Sequence, residues 1–250
     1  AILALMVYYF YKSKIDQVKK EERMQATLNK QLLTTELRAL RSQMNPHFLY
    51  NCINSIKFYI IKNEPEQAST YLNKFSKLIR KFLTNSQFEF ISLEEELHTL
   101  ELYLEMEKLR FGDKMSFEIN VDPNIEISFI KVPTMLIQPF LENAIWHGIM
   151  QKNESDGLLK LDIIEIDPDH LKISIKDNGV GRKKAAELKS KSLNKNKSMG
   201  MNMTLARVAH LNEMNQTEIE IKTIDHLDQN TNEPTGTEVV IYLKILPINN

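Results

Sequence analysis

The chain has 250 residues, 42% hydrophobic and 26% charged, enough for two compact units on the usual prior of roughly 100 to 200 residues per domain. With 32 basic residues against 33 acidic ones the net charge is −1, so no global field draws it to nucleic acid, and direct nucleic-acid binding is not expected. The single cysteine, Cys52, excludes an intrachain disulfide and reads as a small buried hydrophobe, which suits a reducing compartment.

Residues 1–11, AILALMVYYFY, form an apolar run shorter than the ~20 residues a bilayer demands, and are expected to be the end of a transmembrane helix. Tyr9 and Tyr11, followed by Lys12 and Lys14, match an interfacial aromatic belt with a positive cytoplasmic flank. An ordinary amphipathic helix end is the other reading. The expected location is the inner (cytoplasmic) membrane, with residues 12–250 facing the cytoplasm. Residues 12–36 are rich in Lys, Glu and Gln with sparse apolar positions, a helical linker or coiled coil.

Residues 37–110 carry two apolar stripes at helical spacing. The first runs through Leu37, Leu40, Met44, Phe48, Cys52, Ile56 and Ile60; the second, after the polar turn 62–67, through Ala68, Leu72, Phe75, Ile79 and Phe82. They predict a helical hairpin that buries one seam alone, so a homodimer closing a four-helix bundle is expected, and Phe75→Asp or Phe82→Asp should split it. Ser92 with Glu95 three residues on is a capping-box signature opening a further helix to about residue 111.

From Met115 the period changes to two, in MSFEINV, LKLDIIEID, HLKISIKD, TEIEIKTI and GTEVVIYLKIL. Helical candidates intervene at 133–150, 182–191 and 202–214. Residues 111–250 therefore predict an α+β sandwich, a mostly antiparallel sheet with helices on one face.

Three stretches of this half could carry chemistry. In QPFLENAIWHG (138–148), Asn143 and His147 lie four apart, with Glu142 beside them, while Phe140, Leu141, Ala144 and Ile145 can serve the core. An amide oxygen beside an imidazole suits Mg²⁺ and phosphate oxygens, yet a polar stripe on an amphipathic helix looks the same. KDNGVG (176–181) follows a strand: Asp177 can accept from an exocyclic amine, and Gly179 and Gly181 allow close backbone approach, although a plain D-N-G turn has the same letters. SMGMNM (198–203) sets a glycine before a helix, after what reads as a loose loop.

The order NPHFLYN, ENAIWHG, DNGVG, a glycine-bearing lid and Gly236–Thr237 before a strand, with LRFGDKM at the join, resembles the LytS-like class of sensor histidine kinases. The likeness covers residues 37 to about 246, and the catalytic half of that class belongs to the GHKL ATP-binding superfamily. It implies an ATP- and Mg²⁺-dependent kinase that phosphorylates its own histidine and passes the phosphoryl group to an aspartate of a response regulator. By position, His47 would be the phosphoacceptor, Asn143 the magnesium ligand and His147 a neighbour of the phosphates. Asp177 would meet the adenine amine, with Thr237 beside it. Gly179, Gly181 and Gly200 would shape pocket and lid, and Glu142 and Asn202 join the nucleotide contacts. A lysine commonly precedes the position of His147; here Trp146 stands there, with Lys183 or Arg207 as candidate replacements, and Ser198 fills a lid position usually held by glycine. The partner regulator is expected to be of the kind with a LytTR DNA-binding domain.

Pro46, directly before His47, costs a helix interior about 3 kcal/mol or kinks it. A kink there would free the carbonyl of Ser42 and let the imidazole project from the bundle. With a reference pKa of about 6.5, that imidazole is largely neutral at pH 7 and able to attack, with Asn51 one turn on to fix its tautomer. The alternatives are a nucleotide-binding pseudokinase or scaffold that signals by helix rearrangement, and a GHKL ATPase without phosphohistidine. No zinc spacing, Cys–His pair or nucleophile elbow points to a nuclease or protease.

Overall fold

The computed structural model describes residues 12, 14, 46–152, 156–191, 199–214, 217–228, 231 and 233–247. The chain divides into two units, residues 1–49 and 50–250. Of the first, Lys12, Lys14 and Pro46 to Leu49 are described, all helical; the membrane-end and linker expectations, and the kink at Pro46, otherwise lie outside the described residues. No helix among the described residues is long and apolar enough to cross a membrane.

Helices α1 (Pro46–Ile61) and α2 (Pro65–Asn85) follow one another across the predicted turn, α2 opening with proline where the missing N–H is no loss. The hidden face of α2 differs from the predicted stripe. Tyr71 and Leu78 are buried, whereas Leu72 is 48% exposed. Ala68 and Phe82 are buried as predicted and Phe75 and Ile79 are half-buried, while Tyr71, Leu78 and Asn85 join the seam, which so includes a tyrosine and an asparagine. A stripe counted by apolar type alone misses such positions. Across the seam the Tyr71 hydroxyl hydrogen-bonds with Cys52, whose thiol burial pushes up to about 12, so Cys52 is the inert buried group expected.

After strand β1 (Phe90–Ser92) comes α3 (Leu93–Phe111). Its capping box is half made: Ser92 Oγ accepts from the Glu95 amide at 3.1 Å, but the Glu95 carboxylate accepts from Lys81 of α2 at 2.7 Å. Glu94, Glu95 and Glu96 in its first turn and Lys108 and Arg110 in its last complement the helix dipole. A Lys74–Glu105 ion pair and a buried Asn85–Thr99 hydrogen bond of 3.1 Å join α2 to α3 as well.

Five strands then form one sheet in the order β2-β4-β5-β7-β6: β2 (Met115–Val121), β4 (Gly157–Asp167), β5 (His170–Asp177), β6 (Ile219–Leu227) and β7 (Pro234–Lys244). All pairs are antiparallel except β2 with β4, whose residues 122–156 form the crossover that a parallel pair requires. Strand β3 (Ile130–Pro133) joins β1 and β8 (Leu246–Pro247) in a second, three-stranded sheet too short to leave a period in the sequence. Leu159, Leu161, Ile163, Leu171 and Ile173 have no exposure at all, each contributing about 1.5–3 kcal/mol by the burial of its side chain. Helices α3, α5 (Gly181–Lys191) and α6 (Met199–Glu213), together with the segment 138–151, complete the α+β architecture.

The burial of α2 changes one expectation. Phe82 is 3% exposed within a single chain, so Phe82→Asp is expected to cost more than the ~3–5 kcal/mol of a Phe→Ala cavity and to abolish cooperative melting, instead of converting dimer to monomer. Circular dichroism of the helical signal against temperature, beside light scattering, checks it.

Candidate nucleotide site

The site is organised by the end of β5. Period-two alternation buries Leu171, Ile173, Ile175 and Asp177 on one side of the strand, so a carboxylate terminates an apolar file. Desolvation pushes Asp177 up to about 6, opposed by hydrogen bonds from the Gly179 and Thr237 amides and by the nearby His226. The Gly179 amide donates to Asp177 Oδ1 at 2.8 Å, and Thr237 stands opposite Asp177 in the β5–β7 register. A carboxylate has about four lone-pair positions, so two amides leave acceptor capacity for an amine from outside.

Glycines wall this carboxylate. A Cβ on Gly148 would stand 2.7 Å from Asp177 Oδ1, and one on Gly179 would stand 2.3 Å from the Gly148 carbonyl carbon. Gly236, at φ 143°, would place one 1.9 Å from the Asp177 carbonyl oxygen. The Val180 amide donates to the Gly148 carbonyl at 3.3 Å, closing the junction between two of the motifs. Asn178 clips the turn to the start of β4, its Oδ1 accepting from the Leu158 amide at 2.7 Å and its Nδ2 donating to the Asp156 carbonyl at 2.8 Å.

The helix predicted over 133–150 is broken up. β3 takes its first residue, α4 spans Gln138–Asn143, a π-turn follows over Ala144–Gly148, and a 3₁₀ turn over Ile149–Gln151 ends it. The wider π-turn removes the simple four-apart alignment of Asn143 with His147, and such bulges recur at functional positions. Phe140, Leu141, Ala144 and Ile145 are buried as expected. Asn143 Nδ2 donates to Met201 Sδ at 3.4 Å, bringing α4 against α6, while His147 is exposed. Glu142 faces the other way: it accepts from Gln138 Nε2 at 2.9 Å and its charge adds to the desolvation that holds Glu107 up at about 7 and Tyr103 well above the usual tyrosine range.

Trp146 lies under the Arg110 guanidinium, 4.5 Å from its carbon, and edge-on to Phe111 at 5.3 Å. The RF of LRFGDKM therefore packs against the ENAIWHG motif. Arg207 does not supply a loose cation: its Nη2 donates to the Thr134 carbonyl at 2.5 Å and it is partly buried beside Glu96. Lys183 is exposed. Gly181 has φ 75°, Gly200 lies in α6, Asn51 is buried in α1, and the side chains of His47 and Asn202 lie outside the described residues. Two openings of about 600 Å³ and 240 Å³ lie elsewhere, on the outer sheet face near Ser174 and between Tyr59 and Leu109.

The histidine kinase family matches residues 35–115. The chain is 33% identical over 165 residues to sensor histidine kinase YpdA of Escherichia coli strain K12, covering 66% of this chain and 27% of YpdA. It is 32% identical over 183 residues to sensor protein LytS of Oceanobacillus iheyensis, covering 72% of this chain and 30% of LytS. Over these residues the chain is similar to sensor histidine kinases, LytS among them. It spans under a third of the length of the curated relatives it matches. A solved chain of a mycobacterial sensor histidine kinase, MprB, aligns at 21% identity and a TM-score of 0.40, over 64% of this chain and 99% of the solved chain.

The family match ends at Met115, whereas Asp177 and its glycine walls lie in the sheet beyond it. Sequence reasoning named Asp177, Gly179 and Thr237, and passed over Gly148, whose small size is what permits the contact. The folded Asp177 titrates near 6 against an ordinary 3.8, so the fold loses stability as pH rises through that interval. Asp177→Asn is expected to raise the melting temperature at about pH 8, relieving up to ~3 kcal/mol, with the gain shrinking below about pH 6 and gone by about pH 4. Calorimetry across that range checks it.

Proposed function

We propose that the chain is the kinase portion of a dimeric, membrane-anchored sensor histidine kinase, with residues 37–110 for dimerisation and phosphotransfer and 111–250 for ATP binding. The observation that carries the reading is the buried, glycine-walled carboxylate of Asp177 at the end of β5, with acceptor capacity to spare. Few non-nucleotide ligands call for an enclosed acceptor beside bare backbone, which a flat purine ring with one exocyclic amine satisfies.

In this reading Asp177 accepts from the adenine amine, Gly148, Gly179 and Gly181 let the ring lie close to the main chain, and Thr237 lines the pocket floor. Gly200 and Asn202 belong to the lid side, and His147 lies near the phosphates. The donor set also fits Mg²⁺. Among the described residues no three His, Cys, Asp or Glu groups gather as a metal cage, and Mg²⁺ in phosphotransfer sites is ordinarily held by one or two protein groups with phosphates and water. The amide oxygen of Asn143 would be that group, and the ion would neutralise charge on the transferring phosphoryl group. Glu142 is drawn toward Gln138 and α3, which makes it a support of α4 more than a direct ligand.

His47 then attacks the γ-phosphorus through one imidazole nitrogen. The N–P bond forms, the bond to the ADP oxygen breaks, and the imidazole proton leaves to solvent, with Asn51 orienting the ring. A response-regulator aspartate, in a protein with a LytTR DNA-binding domain, accepts the phosphoryl group in a second in-line transfer. Positioning and charge neutralisation suffice for such steps, so the absence of an acidic residue after His47, where Phe48 stands, does not forbid them.

Incubation with γ-labelled ATP and Mg²⁺ is expected to give acid-labile, base-stable protein label that His47→Gln removes. ATP at a hundredfold its Kd should stabilise the wild-type chain by about 2.7 kcal/mol, an effect kept by His47→Gln and lost in Asp177→Ala. Stabilisation by ATP without label would mark a nucleotide-binding scaffold, and neither effect would refute the reading.

A further inference from the structure

The turn that launches α4 is held by groups that the nucleotide reading leaves unused. Helix α4 has no side-chain cap of its own, and Pro139 occupies its first turn. Glu96, 3% exposed on α3, supplies the acceptors instead: Oε2 accepts from the Met135 amide at 3.0 Å and Oε1 from the Ile137 amide at 3.2 Å, while the Leu136 amide between them donates to the Pro133 carbonyl at 3.1 Å. These donors belong to the segment just before the helix, where orphan amides are normally capped locally. Met135 sits at φ 56°, a left-handed conformation that costs a non-glycine residue about 1–3 kcal/mol and persists only when its surroundings impose it.

A second clamp comes from α6. Arg207 donates to the carbonyl of Thr134 and its charge offsets that of Glu96. Six residues earlier on the same helix, Met201 receives the Asn143 amide. Thr134 is fixed on its remaining sides, its hydroxyl donating to the Phe88 carbonyl at 2.7 Å and its amide to the Glu89 carbonyl at 3.1 Å. The helix bearing Asn143 is thus gripped by α3 and α6 at its entry and by α6 again at its end.

We propose that Glu96 and Arg207 are positioning residues for the nucleotide site, fixing the strained 134–137 turn so that Asn143 is presented to the phosphates. This rests on the nucleotide reading of Asp177 and Asn143. Its consequence is a direct mechanical link: α3, bonded to α2 through Lys81–Glu95 and Asn85–Thr99, holds one side of the turn, and α6 holds the other.

The test uses titration calorimetry with ATP and Mg²⁺, and thermal melting without nucleotide, on wild type, Glu96→Gln, Arg207→Met, the double variant and Tyr71→Phe. Tyr71→Phe removes the buried hydroxyl that bonds Cys52 across the α1–α2 seam, which is no part of the link to the turn, and supplies the structural comparison. The expected result is a Kd for ATP raised tenfold or more in each single turn variant, with the double variant no weaker than the worse single because one turn is being released. Tyr71→Phe should lower the melting temperature and leave Kd within twofold. Lowered melting temperatures with Kd unchanged in Glu96→Gln and Arg207→Met would overturn the proposal. Where Glu96→Gln fails to melt cooperatively, Arg207→Met decides alone. A wild-type chain that takes up no ATP would instead refute the nucleotide reading and this inference with it, an outcome seen before any variant is compared.

Discussion

Asp177 is a carboxylate kept where a strand would ordinarily place its last isoleucine, and the constraint it imposes reaches every element near it. An ionisable group at the end of an apolar file is tolerable only if its oxygens are hydrogen-bonded and nothing bulky crowds them. The turn must therefore bend back so that Gly179 can donate, β7 must lie in the register that offers Thr237, and the end of the α4 segment must be Gly148. The elevated pKa reflects what these bonds leave uncompensated. A buried carboxylate that spends stability in this way is the kind of group functional sites gather, which is why Asp177 carries the nucleotide proposal.

The sequence was most legible where a period persisted. β2 and β5 fall on MSFEINV and HLKISIKD to the residue, and the other long strands are displaced by a few residues at their ends. Ser92 could be read as a cap because its signature is local. The hidden face of α2 was read in part: Ala68 and Phe82 are buried, but Tyr71 and Asn85, polar at their tips, are buried too while Leu72 is not. The π-turn at Ala144–Gly148 left no sign in composition, and β1, β3 and β8 are too short for periodicity. At the site, types of residue were visible but partners were not. Arg207, read as a spare phosphate cation, is committed to a backbone carbonyl, and Asn178, hidden inside a turn motif, turns out to be a clip. Long-range pairings such as Glu96 with residues 135–137 carry no local pattern at all.

Helix α3 belongs by sequence to the helical half and by bonding to both halves. It meets α2 through ion pairs and one buried amide, and it meets the segment 134–148 of the candidate site through Glu96 at one end and through Tyr103, Glu107, Arg110 and Phe111 at the other. Ion pairs that are partly exposed add little stability, typically under 1 kcal/mol, so their value here is geometric: they set the azimuth of a rod whose far side touches the site.

The parallel pairing of β2 with β4 has a bearing on how the molecule comes to be. Because residues 122–156 must be threaded before the first strand of the sheet acquires a neighbour, the segment carrying Asn143 and Gly148 is laid down inside that closure. Helical contacts between near neighbours in the chain form early, whereas a distant parallel pairing waits for its loop entropy to be overcome. On a ribosome the rods of the amino-terminal half can therefore take shape before the surroundings of Asp177 exist, and those are complete only when β7 has emerged with Gly236 and Thr237.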